Sequence, residues 1–249
     1  MHISITSETL FHIGSLPVTN TLLTAWFVMA LLIIGALIFH ASLKRAPGRV
    51  QALIEFVIEA LLGFFESIGG SREAARRFFP LTATIFTFVL FSNWAGILPG
   101  VGSIGFKEVH EGKEVFAPLF RSVYSDLNMT LALALITVTL SHFFGFMALG
   151  FKEHIGKFVS FKSPIGAFVG LLEIISEFGK IVSLSFRLFG NIFAGEVLLT
   201  IIAFLVPYAV PLPFLGLELF VGFIQALVFA VLTMVAFSSF TVAHGHESH

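Results

Sequence analysis

Residues 181–206 read IVSLSFRLFGNIFAGEVLLTIIAFLV, an apolar run with one arginine, Arg187, set into it. About 20 apolar residues let a helix cross a bilayer. A charged side chain near the bilayer centre costs about 3 to 10 kcal/mol or more, so it persists only against a protein interior, a wet cavity or a counter-charge. Arg187 is therefore the first candidate functional residue. The apolar run begins earlier, at Ile165, and also carries Glu173, Glu177, Lys180, Asn191 and Glu196. Residues 165–206 would form a helix of about 60 Å. That is about twice the roughly 30 Å of a hydrocarbon core, so the segment must tilt, bend or lie partly at the interface.

The remainder of the chain fits a membrane protein. Of 249 residues, 57% are hydrophobic and only 12% charged, and mean hydropathy is +0.98. Soluble domains carry about 25% charged residues. The 32 phenylalanines suit lipid-facing and helix-packing surfaces. A net charge of −1 gives no basic field for nucleic acid. With no cysteine, disulfides, thiol catalysis and thiolate metal sites are excluded. No G-x-x-x-x-G-K-[ST] phosphate loop occurs, and no cofactor or metal site is expected. The first 20 residues lack a basic segment and a cleavage site, so the first apolar segment is expected to be retained.

The expected fold is an all-α integral membrane protein of about five transmembrane helices, a single membrane domain over 1–249. Predicted spans are 22–43, then 78–98 and 126–150 as a hairpin, then 165–206 and 214–243 as long tilted helices. Segment 50–70 carries Glu55, Glu59 and Glu66 on one helical face. It reads as an amphipathic helix at the membrane surface, a buried pore helix being the alternative. Residues 100–125 read as a polar loop and FKEHIGKFVSFKSP as a basic connection. The prolines of 207–213 predict a turn. Three basic groups, Lys44/Arg45/Arg49, Arg72/Arg76/Arg77 and Lys152/Lys157/Lys162, should share the inner face. That puts the N-terminus outside and the C-terminus inside.

At about 100° per residue, Glu173, Glu177, Lys180, Arg187 and Asn191 fall within about 80° of one another. Glu196 lies about 180° round from Arg187 and about 13 Å further along. Glu218 and Gln225, seven apart, share a face of the last helix. Glu196 and Glu218 both lie toward the proline turn, forming a candidate two-carboxylate pocket at the outer end. Glu173 marks a candidate path at the inner end. Glu173, Glu177 and Lys180 also read as an interfacial charge cluster, Asn191 and Gln225 as packing glue, and Asp126 with Asn128 as a helix N-terminus. Gly190 and Gly195 suggest close helix approach. The HGHESH tail reads as a disordered end.

SLSFRLFGNIFAGE (183–196), preceded by LLEIISEFGK (171–180) and followed by GFIQALVFAVLT (222–233), closely resembles subunit a of F-type ATP synthases. DLNMTLALAL (126–135) and the order of elements resemble the same family. The resemblance implies two long tilted helices lying against a rotating ring of c subunits. It implies Arg187 as the arginine that meets the ring's membrane carboxylate. It also implies an outer half-channel past Glu196 and Glu218, an inner one past Glu173, and supporting roles for Asn191 and Gln225. Implied partners are the c-subunit ring, b-type peripheral stalk subunits and the remaining subunits. A bacterial inner membrane is the expected location and a mitochondrial one the alternative. Many members of the family carry histidine where this chain has Glu218. A transporter binding an anion at Arg187 is the competing reading, but such proteins show internal repeats and no repeat is evident here.

Overall fold

The structure, a computed structural model, describes residues 7–69, 72–98, 100–101, 104–110, 113–158, 164–206 and 209–241. Two small β-hairpins and seven α-helices make up these residues. Strands β1 (Thr9–Ile13) and β2 (Leu16–Thr19) pair antiparallel. Helix α1 (Asn20–Ser42) follows, its first turn closed by the Thr19 hydroxyl, which accepts from Leu22 N at 3.3 Å. Only its beginning is buried, through Asn20, Thr21, Thr24, Ala25 and Val28. Beyond that, Leu31, Ile34, Leu37 and Ile38 are exposed, an apolar surface suited to lipid.

Helix α2 (Arg49–Gly69) buries Phe65 and packs on α3 (Arg72–Ile97) and α7 (Pro211–Thr241). Its Glu55 and Glu59 are exposed. Glu66, half-buried, pairs with Arg72 at 3.2 Å. Helix α3 starts six residues before the predicted span and continues through Pro80, whose missing N–H removes one ladder bond. Helices α1, α3, α4, α6 and α7 are long and apolar enough to cross a membrane; α2 is not among them.

The polar loop predicted at 100–125 contains a hairpin, β3 (Gly105–His110) with β4 (Lys113–Pro118). Its charges fall in adjacent pairs, Lys107-Glu108 and Lys113-Glu114, so no strand alternation marks it in the sequence. After a 3₁₀ turn (Val123–Ser125), Asp126 caps α4 (Leu127–Leu149), accepting from Asn128 N at 2.9 Å. Gly150, at φ +82°, ends α4 in a conformation that favours glycine. The connection that follows is not a loop at its start: Phe151–Phe158 forms helix α5. Phe151, His154, Ile155 and Phe158 recur at three and four residues, the spacing of one helical face.

Helix α6 (Pro164–Leu205) runs unbroken for 42 residues. The predicted proline turn is shorter than expected, because Pro211 and Pro213 open α7 rather than precede it. The first turn of a helix has no intrahelical use for those N–H groups. The core joins α3, α4, α6 and α7. Phe78, Phe144 and Phe237 meet with centroids 5.1, 5.6 and 5.2 Å apart, beside Leu188 and Ile192 of α6 and Phe229 and Met234 of α7. The His-rich tail lies outside the described residues.

Candidate functional site

Helix α6 carries three polar levels, and the sequence stripe divides among them. In the middle stands Arg187, which is exposed. Its Nη2 donates to Ser183 Oγ, one turn back, at 3.3 Å. Among the described residues no carboxylate pairs with it. Its neighbour Phe186 is exposed too, while Leu184 and Leu188 are buried in the core. The α6–core packing thus leaves Arg187 on the side that no other helix of the chain covers.

One turn further, Asn191 Nδ2 donates to Gln225 Oε1 at 2.7 Å, joining α6 to α7. Gln225 is buried. A buried amide keeps its place only when its polar atoms are matched, so this bond fixes the register of the two helices beside Arg187. On the opposite face, Ser185 Oγ and Thr130 Oγ1 lie 3.0 Å apart and tie α6 to α4.

The level nearest the α6–α7 turn holds Glu196 and Glu218, together with a cation the sequence reading missed. Arg121, its side chain only 10% exposed, donates from Nε to Glu196 Oε1 at 3.0 Å. The pocket is therefore two carboxylates and a guanidinium, not two carboxylates alone. Glu196 Oε2 is buried without a hydrogen bond among the described residues. The Glu218 carboxylate lies directly over Gly195, where a Cβ would overlap it. Gly195 is thus the close approach the sequence suggested. Gly190 is not: nothing lies within 4 Å of the place its Cβ would take.

Helix α3 secures this level. Asn93 Nδ2 donates to Gly222 O at 3.0 Å and Trp94 Nε1 to Leu219 O at 3.2 Å. The segment bearing Arg121 is held by Arg121 N donating to Thr24 Oγ1 at 3.2 Å. Asp126 accepts from Ser7 Oγ at 2.7 Å and from Thr21 Oγ1 at 3.2 Å. So Asp126 works as a cap and a tie to the N-terminal segment, and Asn128, exposed, takes part through its backbone N–H. Tyr124, fully buried in the same segment, has its phenol pushed up by desolvation and stays neutral.

Toward the other end of α6, Glu177 is buried and Lys180 Nζ donates to its Oε1 at 2.5 Å. His142 of α4 faces the second oxygen at 3.6 Å. Glu173, one turn away, is half-buried. His142 is a second residue the sequence reading passed over, although an ionisable group within a predicted span is the signal that marked Arg187. Arg121 carried no comparable signal, since its loop also holds Lys107 and Lys113.

The profile described as ATP synthase A chain matches residues 22–238. The chain belongs to that family. It is 33% identical over 237 residues to ATP synthase subunit a of Moorella thermoacetica, covering 95% of this chain and 96% of the relative. It is 36% identical over 240 residues to ATP synthase subunit a of Campylobacter jejuni strain 81-176, covering 95% and 91%. The match takes in α1 through α7, and hence all three polar levels of α6.

Proposed function

We propose that this chain is the proton-conducting stator subunit of an F-type ATP synthase, with Arg187 as the gate between two half-channels. Family membership supports a multi-pass, non-catalytic subunit of the membrane sector. The observation that carries the finer reading is Arg187 itself, a fixed cation on an uncovered helix face with no carboxylate partner among the described residues. Such a charge in a membrane needs an anion. A carboxylate presented by a ring of c subunits supplies one.

The chemistry follows. Arginine stays protonated at any working pH, so Arg187 cannot carry a proton through. It favours the ionised form of each passing carboxylate and repels a proton migrating directly between the channels. Protons enter from the outer side past Glu196 and Glu218 and neutralise a ring carboxylate, which can then move through lipid. They leave on the inner side past Glu173. Asn191 and Gln225 position the α6–α7 pair beside the gate, with Lys180 on the inner path. One charge crossing 100 mV yields about 2.3 kcal/mol, so several protons are needed per ATP and the transfer has to be repeated by rotation. The c ring, b-type stalk subunits and remaining synthase subunits are the partners. The setting is a bacterial inner membrane, the N-terminus outside, the C-terminus cytoplasmic and α2 along the inner surface.

Proton pumping and ATP synthesis in vesicles carrying Arg187→Ala, with assembly of the complex checked, test the reading. Coupling should be lost in an assembled complex. Normal coupling would return the chain to a transporter or scaffold role.

A further inference from the structure

His142 stands between a second imidazole within hydrogen-bond distance and a carboxylate just beyond it. Its Nδ1 lies 3.2 Å from His154 Nε2, and its Nε2 lies 3.6 Å from Glu177 Oε2. Three helices contribute, α4 with His142, α5 with His154 and α6 with Glu177, and Lys180 holds the other Glu177 oxygen. His154 is 1% exposed and Glu177 7%. The rings are fixed by aromatic neighbours. His154 sits 4.4 Å from Phe146 and 5.6 Å from Phe158, and His142 lies 5.6 Å from Phe158. The turn into α5 is set by Gly150, whose carbonyl accepts from His154 N at 3.1 Å.

We propose that Glu177, His142 and His154 form a proton-release relay, the inner exit of the pathway. This rests on the reading of Arg187 as the gate above it. The Glu177–Lys180 ion pair lies within α6 and ties no helices together, so α6 reaches α4 and α5 here through titratable groups. Two imidazoles in series beside a buried carboxylate are an arrangement that hands a proton on with side-chain shifts of only a few tenths of an ångström. Once the 3.6 Å gap closes, Glu177 gives a proton to His142 Nε2, His142 Nδ1 gives one to His154 Nε2, and His154 gives one up from Nδ1 toward the inner side. One proton enters the middle ring and one leaves it, so its charge is unchanged. Imidazoles are the groups whose unperturbed titration lies between about pH 5 and 8. Among the described residues the charged and titratable neighbours are Glu173, Glu177 and Lys180 on α6, His142 on α4 and His154 on α5. Lys180 balances Glu177 between transfers, and Glu173 lies one turn further along α6.

The test is passive proton flux through the assembled membrane sector, measured against inner-side and outer-side pH separately. His142→Phe keeps a ring against Phe158 and removes the protonation site. Glu177→Gln keeps the shape and removes the acid. Each should lower flux about tenfold or more, since a positioned proton-transfer group is worth roughly 10²–10⁴-fold. Each should also flatten the dependence on inner-side pH and leave the outer-side dependence as in the parent. If His142→Phe does not assemble, His154→Gln replaces it with the same expectation. Parent-level flux with an unchanged inner-side profile in the assembled variants overturns the relay. If Arg187→Ala still uncouples in that case, the gate stands and only the relay falls.

Discussion

Arg121 and Arg187 are both arginines at the level of apolar helices, and they stand in opposite situations. Arg121 is a tenth exposed and held at 3.0 Å by Glu196. Arg187 is exposed and donates to a hydroxyl, that of Ser183, one turn along its own helix. A buried cation must find its counter-charge within the chain or the fold loses several kcal/mol. A cation on an uncovered face can wait for a partner. The difference separates a charge that holds the subunit together from one offered to another molecule. Stability and coupling should therefore respond to different arginines.

Arg121→Met should strike the fold hardest. Removing one member of a buried pair costs about 3–5 kcal/mol, and the effect here belongs near the lower end because Glu196 is a third exposed. The midpoint of thermal unfolding of the complex in detergent should fall well below the parent. Arg187→Ala should leave that midpoint where it was while abolishing coupling. Adding Glu196→Gln to Arg121→Met should cost less than the two single changes summed, because the pair is lost only once. Strict additivity would mean that the 3.0 Å contact contributes nothing, and the contrast between the arginines would collapse.

Gly195→Ala tests the same pocket from its backbone. The new methyl overlaps the Glu218 carboxylate. Forcing extra volume into a packed site costs about 1–3 kcal/mol. Glu218 must move, so proton entry from the outer side should slow more than proton release on the inner side. Gly190→Ala, with open space at its Cβ, is the control and should change neither rate. Equal slowing in both variants would show that helix flexibility, not the Glu218 contact, sets the effect.

The two arginines also explain which features could be read in the chain. Arg187, Glu196 and Glu218 were legible because an ionisable group in an apolar run is rare and costly. The long helices were legible because their apolar runs exceed a bilayer's thickness. Arg121 sits in a segment whose other charges made it ordinary, and its partner is 75 positions away. No local pattern carries such a pairing. Helix α5 was hidden because its segment was read by charge while its structure lies in the spacing of Phe151, His154, Ile155 and Phe158, and the hairpin at Gly105–Pro118 because its paired charges break the alternation of a strand. The proposed relay was hidden twice, since His142 passes unremarked in a predicted span and His154 lies in a segment read as a basic connection.

The smallest effect is expected at Asn191→Ala. The bond to Gln225 is neutral, so its net value is about 1 kcal/mol. Removing the Asn191 amide also leaves the buried Gln225 oxygen without its donor. The thermal midpoint should drop slightly, far less than in Arg121→Met. Coupling should fall further than that loss of stability accounts for, because the bond sets how α6 meets α7 one turn from Arg187. Gln225→Ala removes the buried end of the bond and opens a cavity where that side chain stood, so it should cost more stability and a similar share of coupling. The ratio of the two effects is the informative quantity. If both variants lose stability and coupling in proportion, Asn191 is packing glue and Arg187 needs no positioning from α7. If coupling falls out of proportion in both, the α6–α7 register is part of what keeps the exposed arginine aimed at its partner.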